Sequence, residues 1–205
     1  MPVTPQRFKF IGGWPCLDFV DSKNWDSHEA KYERFQQYDD LVWWNIEAGF
    51  LPDKAAQALF ERGRQQPDRA ATVFEQGLRL RDEVHRCLAE IAAGKGPEMI
   101  DLRRLNAWIG QSVAQSQLTA EGEGFRWQWS GQPDALERVL WPIVWSTAEL
   151  LTSDQWGRVK QCAGESCGWI FLDTTKNGSR RWCEMGHCGN RAKAKRYYRR
   201  LKAKT

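Results

Sequence analysis

Apolar residues recur every three or four positions over most of the first 150 residues, which predicts a mainly helical chain. Five stretches show this period: 29–48, 52–64, 67–94, 97–116 and 133–152. Pro67 and the glycines at 94 and 96 bound the longest stretch. Pro142 falls inside the last stretch, so we expect a kinked helix there.

Two other segments do not follow the helical period. The stretch FKFIGGWPCLDFVDSKNW breaks at two glycines and a proline, which indicates extended or irregular structure leading into a helix. A glycine-containing turn at 122–124 is followed by Phe125, Trp127 and Trp129 in alternation. This pattern predicts a small β-hairpin.

Charge separates the chain into two parts. Residues 174–205 carry eleven Lys or Arg and one acid, a sum of +10, so residues 1–173 sum to −6 within the net charge of +4. We expect a helical domain over 1–155 and a basic segment over 156–205. A basic segment on an acidic body is typical of a surface that meets polyanions, although charge alone also fits a solvated, disordered tail.

Membrane insertion and export are not expected. The mean hydropathy is −0.65, and the chain contains no run of eighteen apolar residues. The start, MPVTPQRFKF, lacks the layout of a signal peptide. A cytoplasmic location follows as the expectation.

Four of the six cysteines fall within 27 residues, as CAGESC and CEMGHC. Two close pairs separated by a hairpin-sized spacer favour a closed four-thiolate zinc site made by Cys162, Cys167, Cys183 and Cys188. Within the spacer, the alternating residues 169–173 predict a strand, and Asn177-Gly178 predicts a turn. Residues 180–182 are expected to form the returning strand. His187 is a competing ligand, and four reduced thiols or a redox pair are the alternatives to a metal.

Catalysis is not expected. Four sulfurs complete a tetrahedron and leave no position for water. The helical domain has two histidines, His28 and His85, far apart in sequence, and no recognisable triad or phosphate-binding loop. Asp18, Asp21 and Asp26 lie near His28 and could bind a cation, although helix-capping and turn roles explain them as well.

A cationic helix follows the last cysteine. Asn190 suits its N-cap, and the helix over 191–202 would align Ala194, Tyr197, Tyr198 and Leu201 on one face that packs on the finger or the body. The predicted nucleic-acid contacts are Arg180, Arg181, Arg191, Lys193, Lys195, Arg196, Arg199 and Arg200. Arg180 and Arg181 would also offset the negative charge of a zinc–thiolate centre. Buried tyrosines would favour duplex DNA, and exposed ones would favour stacking on unpaired RNA bases.

The chain has twelve tryptophans, several of them on helical apolar faces. Core filling is the favoured interpretation of Trp43, Trp44, Trp108, Trp141 and Trp145. An aromatic-lined pocket for a small ligand is the alternative.

The segment 162–200, with Cys188, Gly189, Asn190 and Arg191 at its centre, resembles the CGNR zinc finger. The stretch FIGGWPCLDFVDSKNW is similar to the start of the ABATE domain, a helical domain found fused before that finger. The resemblance implies a bacterial, stress-linked transcription regulator that holds zinc on the four cysteines and binds DNA. Family members tend to have Asn-Thr where this chain has Asp21-Ser22, so a ligand bound there would differ.

Together these features predict a mainly α protein: a helical domain with a small β-hairpin, then a zinc-ribbon-like hairpin and a basic helix. The predicted function is DNA-binding transcription regulation, with the helical domain sensing a small-molecule effector or forming a homodimer. The alternatives are an RNA- or ribosome-associated zinc protein and a protein-interaction module.

Overall fold

The computed structural model describes residues 7–25, 33–130, 132 and 134–202. Within them the chain is mainly helical, with two small antiparallel hairpins. The helices are α1 Pro15–Val20, α2 Tyr38–Glu47, α3 Asp53–Gln65, α4 Pro67–Ala92, α5 Met99–Val113, α6 Trp141–Thr152 and α7 Asn190–Lys202. The strands are β1 Ser116–Glu121, β2 Gly124–Trp129, β3 Val159–Gln161 and β4 Ile170–Leu172. The predicted fold class is confirmed.

Helix α4 is the central element of the core. Its 26 residues contact α1, α2, α3, α5 and the β3–β4 hairpin. Leu80, Val84 and Leu88 are fully buried on its inward stripe, as the helical period predicts. In the described part of the chain, no helix is both long enough and apolar enough to cross a bilayer.

Three predicted element boundaries are wrong. Pro15 begins the short helix α1 where extended or irregular structure was expected. Helix α2 begins at Tyr38 rather than at 29; residues 26–32 lie outside the described residues. Helix α6 begins at Trp141, so Pro142 occupies its first turn, where no backbone hydrogen bond is lost and no kink follows.

The Gly12-Gly13 pair brings the N-terminal segment close to β4. Gly13 has φ +83°, which favours glycine, and a side chain at Gly12 would approach Leu17 Cβ at 2.8 Å. The Gly12 carbonyl can therefore accept a hydrogen bond of 2.7 Å from the Leu172 amide. The N-terminal segment thereby joins the body to the cysteine region.

The Asp21-Ser22 pair is buried in this same junction. Asp21 accepts a hydrogen bond from the Ile170 amide at 2.9 Å. Ser22 accepts one at 2.9 Å from Arg81, a buried residue of α4 that also pairs with both oxygens of Glu33. Asp21 therefore joins the body to the finger, and Ser22 joins the end of α1 to α4 within the body.

Asp18 provides a test of the electrostatics of the junction. It is 7% exposed, and it accepts a 2.7 Å hydrogen bond from the Gly12 amide. Burial raises its pKa to about 6 despite the hydrogen bonds from Gly12 and Ile11 and the charge of Arg180. A pKa raised in the folded state stabilises the fold below the unfolded pKa near 4, and this stability is lost as pH rises through about 6.

We expect Asp18→Asn to remove this pH dependence. The full effect is about 3 kcal/mol in the free energy of unfolding, and about half of it falls between pH 5 and 8. Urea unfolding across that range should therefore show the variant gaining on the wild type as pH rises. Glu75→Gln, on the exposed surface of α4, is the control for the loss of one surface carboxylate. A constant difference between variant and wild type would contradict the prediction.

Candidate metal centre and basic helix

The turn of the β3–β4 hairpin carries the first cysteine pair. The strands pair Val159 with Leu172 and Gln161 with Ile170. The Cys162 amide then donates to the Trp169 carbonyl at 2.8 Å, and the Cys167 amide to the Gly164 carbonyl at 3.3 Å. These bonds close a tight loop that points both sulfurs to one place.

Gly164 leaves room for the sulfurs. A Cβ atom at this position would lie 3.3 Å from Cys188 Sγ and 3.5 Å from Cys162 Sγ. A Cβ atom here would therefore be in tight contact with the cysteine cluster, which would have to shift by a few tenths of an ångström.

The second cysteine pair is joined by a wide helical turn, Met185–Gly189, that follows Cys183, contains Cys188 and runs directly into α7. The predicted N-cap role of Asn190 is wrong. Asn190 has helical φ and ψ of −69° and −40°, and its side-chain amide donates to the Gly186 carbonyl at 3.1 Å. The preceding turn already supplies the helix with its first carbonyls, so no side-chain cap is needed. Cys188 is thus rigidly continuous with α7.

The four sulfur atoms converge. All lie within 4.8 Å of one another, with Cys167–Cys183 at 3.5 Å and Cys183–Cys188 at 3.7 Å. Ligands at about 2.3 Å in a tetrahedron are about 3.8 Å apart, so the cluster fits an ion with zinc–thiolate dimensions. The cysteine residues predicted to bind a metal are therefore brought together as one metal site.

The electrostatics of the cluster favour a cation. Hydrogen bonds from the thiols of Cys167 and Cys183 lower the pKa of Cys162 to about 2, and the Cys183 amide also donates to its sulfur at 3.3 Å. Hydrogen bonding with Cys162 raises the pKa of Cys183 well above its ordinary value. Since thiolates this close repel one another, all four can be deprotonated together only when a positive ion lies between them.

None of the other candidate cation ligands belongs to a metal-ligand cluster in the described residues. His187 is exposed and lies outside the group of four sulfurs. Asp18 and Asp21 are buried in the junction and form no metal-ligand group within the described part of the chain. Asp26 and His28, predicted as their partners, lie outside the described residues.

The segment joining the cysteine pairs corrects another prediction. Residues 180–182 form no strand, and β4 pairs with β3 instead. The buried Asp173 carboxylate organises the connection: it accepts from Lys160 Nζ at 2.7 Å, from the Thr175 hydroxyl at 2.6 Å and from the Arg180 amide at 3.0 Å. Burial would raise its pKa, but these donors outweigh burial and hold the pKa well below its usual range.

The Arg180 side chain forms its hydrogen bonds within the finger and with the N-terminal segment. Its guanidinium donates to the carbonyls of Cys183 at 2.6 Å, Ile11 at 2.9 Å, Trp182 at 3.1 Å and Leu172 at 3.2 Å. It also lies 4.2 Å from the centroid of the Phe171 ring. The hydrogen bonds use four of the five guanidinium N–H groups, so Arg180 has little donor capacity left for a phosphate, and its nucleic-acid contact stays a prediction. A sequence alone could not distinguish this arginine from exposed Arg181.

Helix α7 extends from the finger with little cover. None of its residues is buried, and its 13 residues span about 20 Å. Tyr197 and Tyr198 are 61% and 63% exposed. The expected packing of the tyrosine face on the finger or body is therefore wrong.

The cations of α7 divide into two faces. Arg191, Lys195 and Arg199 face an open cleft of about 700 Å³ beside the cysteine loop. In this cleft Glu165 forms an ion pair with Lys195, and its carboxylate lies 3.7 Å from the guanidinium of Arg199. Arg191 donates a hydrogen bond of 3.1 Å to the Ser166 hydroxyl. Lys193, Arg196 and Arg200 follow each other at helical spacing and are exposed, although Arg196 also lines the cleft.

The tryptophans fill the core and also line a cleft. Trp44 and Trp141 are buried, as core filling predicts. Trp145 instead packs against Trp127 of the β1–β2 hairpin, with ring centroids 5.1 Å apart. These two, with Trp14, line a cleft of about 400 Å³, so both interpretations of the tryptophans apply to different residues.

The fold and the site define a helical protein with a C-terminal metal-binding finger. The family model named CGNR zinc finger matches residues 158–201. The ABATE model, described as "Putative stress-induced transcription regulator", matches residues 13–154, more than half of the chain. The chain belongs to the ABATE family, and both resemblances seen in the sequence are confirmed. A search of curated proteins finds no match.

We expect Cys183→Ala to abolish tight metal binding, because Cys183 lies within 3.7 Å of two other cysteine sulfurs. Elemental analysis of the wild type should give about one metal ion per chain, and the variant well below that. The variant should also melt at a lower temperature. Cys87→Ala, a buried cysteine outside the cluster, should keep the metal. Equal metal content in wild type and Cys183→Ala would contradict the site.

Proposed function

We propose that this protein is a transcription regulator that binds duplex DNA through α7, held by a zinc ion on Cys162, Cys167, Cys183 and Cys188. The single observation that carries the proposal is the geometry of α7. It is a helix without acidic residues and without buried residues, and it continues directly from the metal site. Such a helix has the width and charge to enter a major groove or lie along phosphates.

The metal supports this role by preorganisation. A free cationic tail loses roughly 1–2 kcal/mol of conformational entropy per ordered backbone residue when it binds. Here Cys188 holds the first turn of α7 in place before any ligand arrives. The four-thiolate set leaves no position for a substrate, so we assign zinc a structural role.

Seven of the eight predicted nucleic-acid residues support the proposal: Arg181, Arg191, Lys193, Lys195, Arg196, Arg199 and Arg200. Glu165 partly neutralises Lys195 and Arg199, so Lys193, Arg196 and Arg200 supply the least compensated charge of the helix. We propose residues 1–155 as the regulatory part, which senses an effector or forms a dimer, and 156–205 as the DNA-binding part. The stress-linked role and bacterial origin implied by the resemblance stay predictions.

We expect DNA affinity to fall steeply with salt. Five or six phosphate contacts give a log–log slope of about −5 on duplex DNA, and Arg196→Gln/Arg200→Gln should reduce its magnitude by about 2. Fluorescence anisotropy with a labelled duplex at several salt concentrations measures both slopes. Lys54→Gln, an exposed lysine of α3, should leave the slope unchanged. A wild-type slope near −1 would rule out the proposed interface.

A second candidate function is binding of single-stranded RNA, and the exposure of Tyr197 and Tyr198 favours it. Stacking on unpaired bases is worth about 1–3 kcal/mol per base. If these tyrosines stack on bases, Tyr197→Ala/Tyr198→Ala should weaken single-stranded RNA binding by at least tenfold and change duplex binding little. Equal, small effects on both ligands would leave duplex DNA as the target. Tighter wild-type binding to the RNA than to the duplex, lost in the variant, would replace the DNA proposal.

A further inference from the structure

The β1–β2 hairpin has one apolar and one polar face. Its register places Leu118 opposite Trp127 and Ala120 opposite Phe125. Since side chains alternate across a strand, these four residues share one face, and Ser116 and Trp129 extend it toward the body. Glu121 and Arg126, on the polar face, form an ion pair of 3.0 Å. The apolar face carries no charged residue.

This apolar face is largely exposed. Phe125 is 74% exposed, Leu118 58% and Trp127 56%. Together they present an apolar surface on the order of 400 Å². A patch of this size is comparable to the largest apolar patch of a typical monomeric protein, and such patches are often functional.

The hairpin is also poorly supported as an isolated element. In the described residues its sheet has two strands, so both of its edges lack a neighbouring strand. A two-stranded hairpin alone is marginally stable in water and needs packing on its apolar face. Only its base is covered, where Trp129 packs at 5.3 Å on Trp141 and Trp127 at 5.1 Å on Trp145. The outer half needs a partner.

The patch continues into the tryptophan-lined cleft. Trp127 belongs to both the apolar patch and the cleft, which is also lined by Trp14, Phe50 and Pro142. Its volume of about 400 Å³ exceeds that of a phenylalanine side chain. The hairpin therefore offers both a projecting apolar group, Phe125, and a cavity able to receive one.

We infer that the β1–β2 hairpin is a dimerisation arm whose partner is a second copy of this chain. A surface that presents both a projecting group and a matching cavity is self-complementary, which is what a two-fold symmetric interface requires. The hairpin face is uncharged, so two copies meet there without like-charge repulsion, and Glu149 is the one charged residue of the cleft lining. The two patches and the cleft walls together approach the roughly 1,000 Å² of buried area that a specific interface needs.

The arm is independent of nucleic-acid binding, since its residues lie in the acidic part of the chain and share no side chain with α7. It deepens the homodimer expectation by naming the surface. A dimer would place two copies of α7 in one particle, but the inference does not require them to bind DNA.

The test is the mass of the metal-loaded full chain in solution. Sedimentation velocity and light scattering should give about twice 23.8 kDa at micromolar concentration for the wild type. Leu118→Ser/Phe125→Ser should sediment as a monomer. Both side chains are exposed, so metal content and the melting of the helical body should be unchanged. Gln117→Ser/Arg126→Gln, on the polar face, should remain dimeric.

Two results would overturn the inference. One is a wild-type protein that stays monomeric at every micromolar concentration tested. If that monomer releases an apolar compound on denaturation, the cleft is a ligand site instead of part of an interface. The other is a dimer that persists in Leu118→Ser/Phe125→Ser, which would place the interface elsewhere. Salt-dependent DNA binding is measured separately, so its failure would leave the mass measurement informative.

Discussion

Strand β4 contacts two different environments, and the rest of the finger depends on this. Ile170 and Leu172 are buried in the core of the helical body, together with Val159 of β3. Trp169 and Phe171, which alternate with them, pack in the separate cluster that contains the cysteines. Successive side chains of a strand point to opposite faces. The three residues of β4, Ile170–Leu172, therefore contact both the body core and the cysteine cluster.

The junction is reinforced by polar groups that would be costly to bury without partners. Arg180 donates to four carbonyls, including that of Ile11 in the N-terminal segment and that of Cys183 beside the metal site. Asp173 collects the donors of the connecting segment. Removing either group would leave several partly buried polar atoms without these partners and would weaken the junction. The finger is therefore packed on the body, and Val159, Ile170 and Leu172, which follow the boundary expected near residue 155, lie in the body core.

This fixed junction leaves two elements exposed at different places. Helix α7 leaves the metal site with no buried residue, and its charge suits a polyanion. The β1–β2 hairpin leaves the body with an uncharged apolar face. The protein thus combines an exposed cationic helix with an exposed apolar hairpin face.

The sequence alone determined the helical class, the β1–β2 hairpin, the four metal-binding cysteines and the cationic helix. Each of these depends on local spacing: the helical period, a glycine turn between alternating residues, or two cysteine pairs in tight loops. Spacing also indicated the family, because the cysteines and the CGNR residues are contiguous in the chain.

Only the tertiary structure determined which residues of the same type have different contacts and exposure. Arg180 and Arg181 are neighbours, yet one is bound to four carbonyls and the other is exposed, because only the folded chain brings Ile11 and Leu172 to Arg180. Likewise, β4 pairs with β3 rather than with 180–182, and the tyrosine face of α7 stays uncovered. Long-range contacts determine these outcomes, and they are set by how the whole core packs rather than by any local pattern.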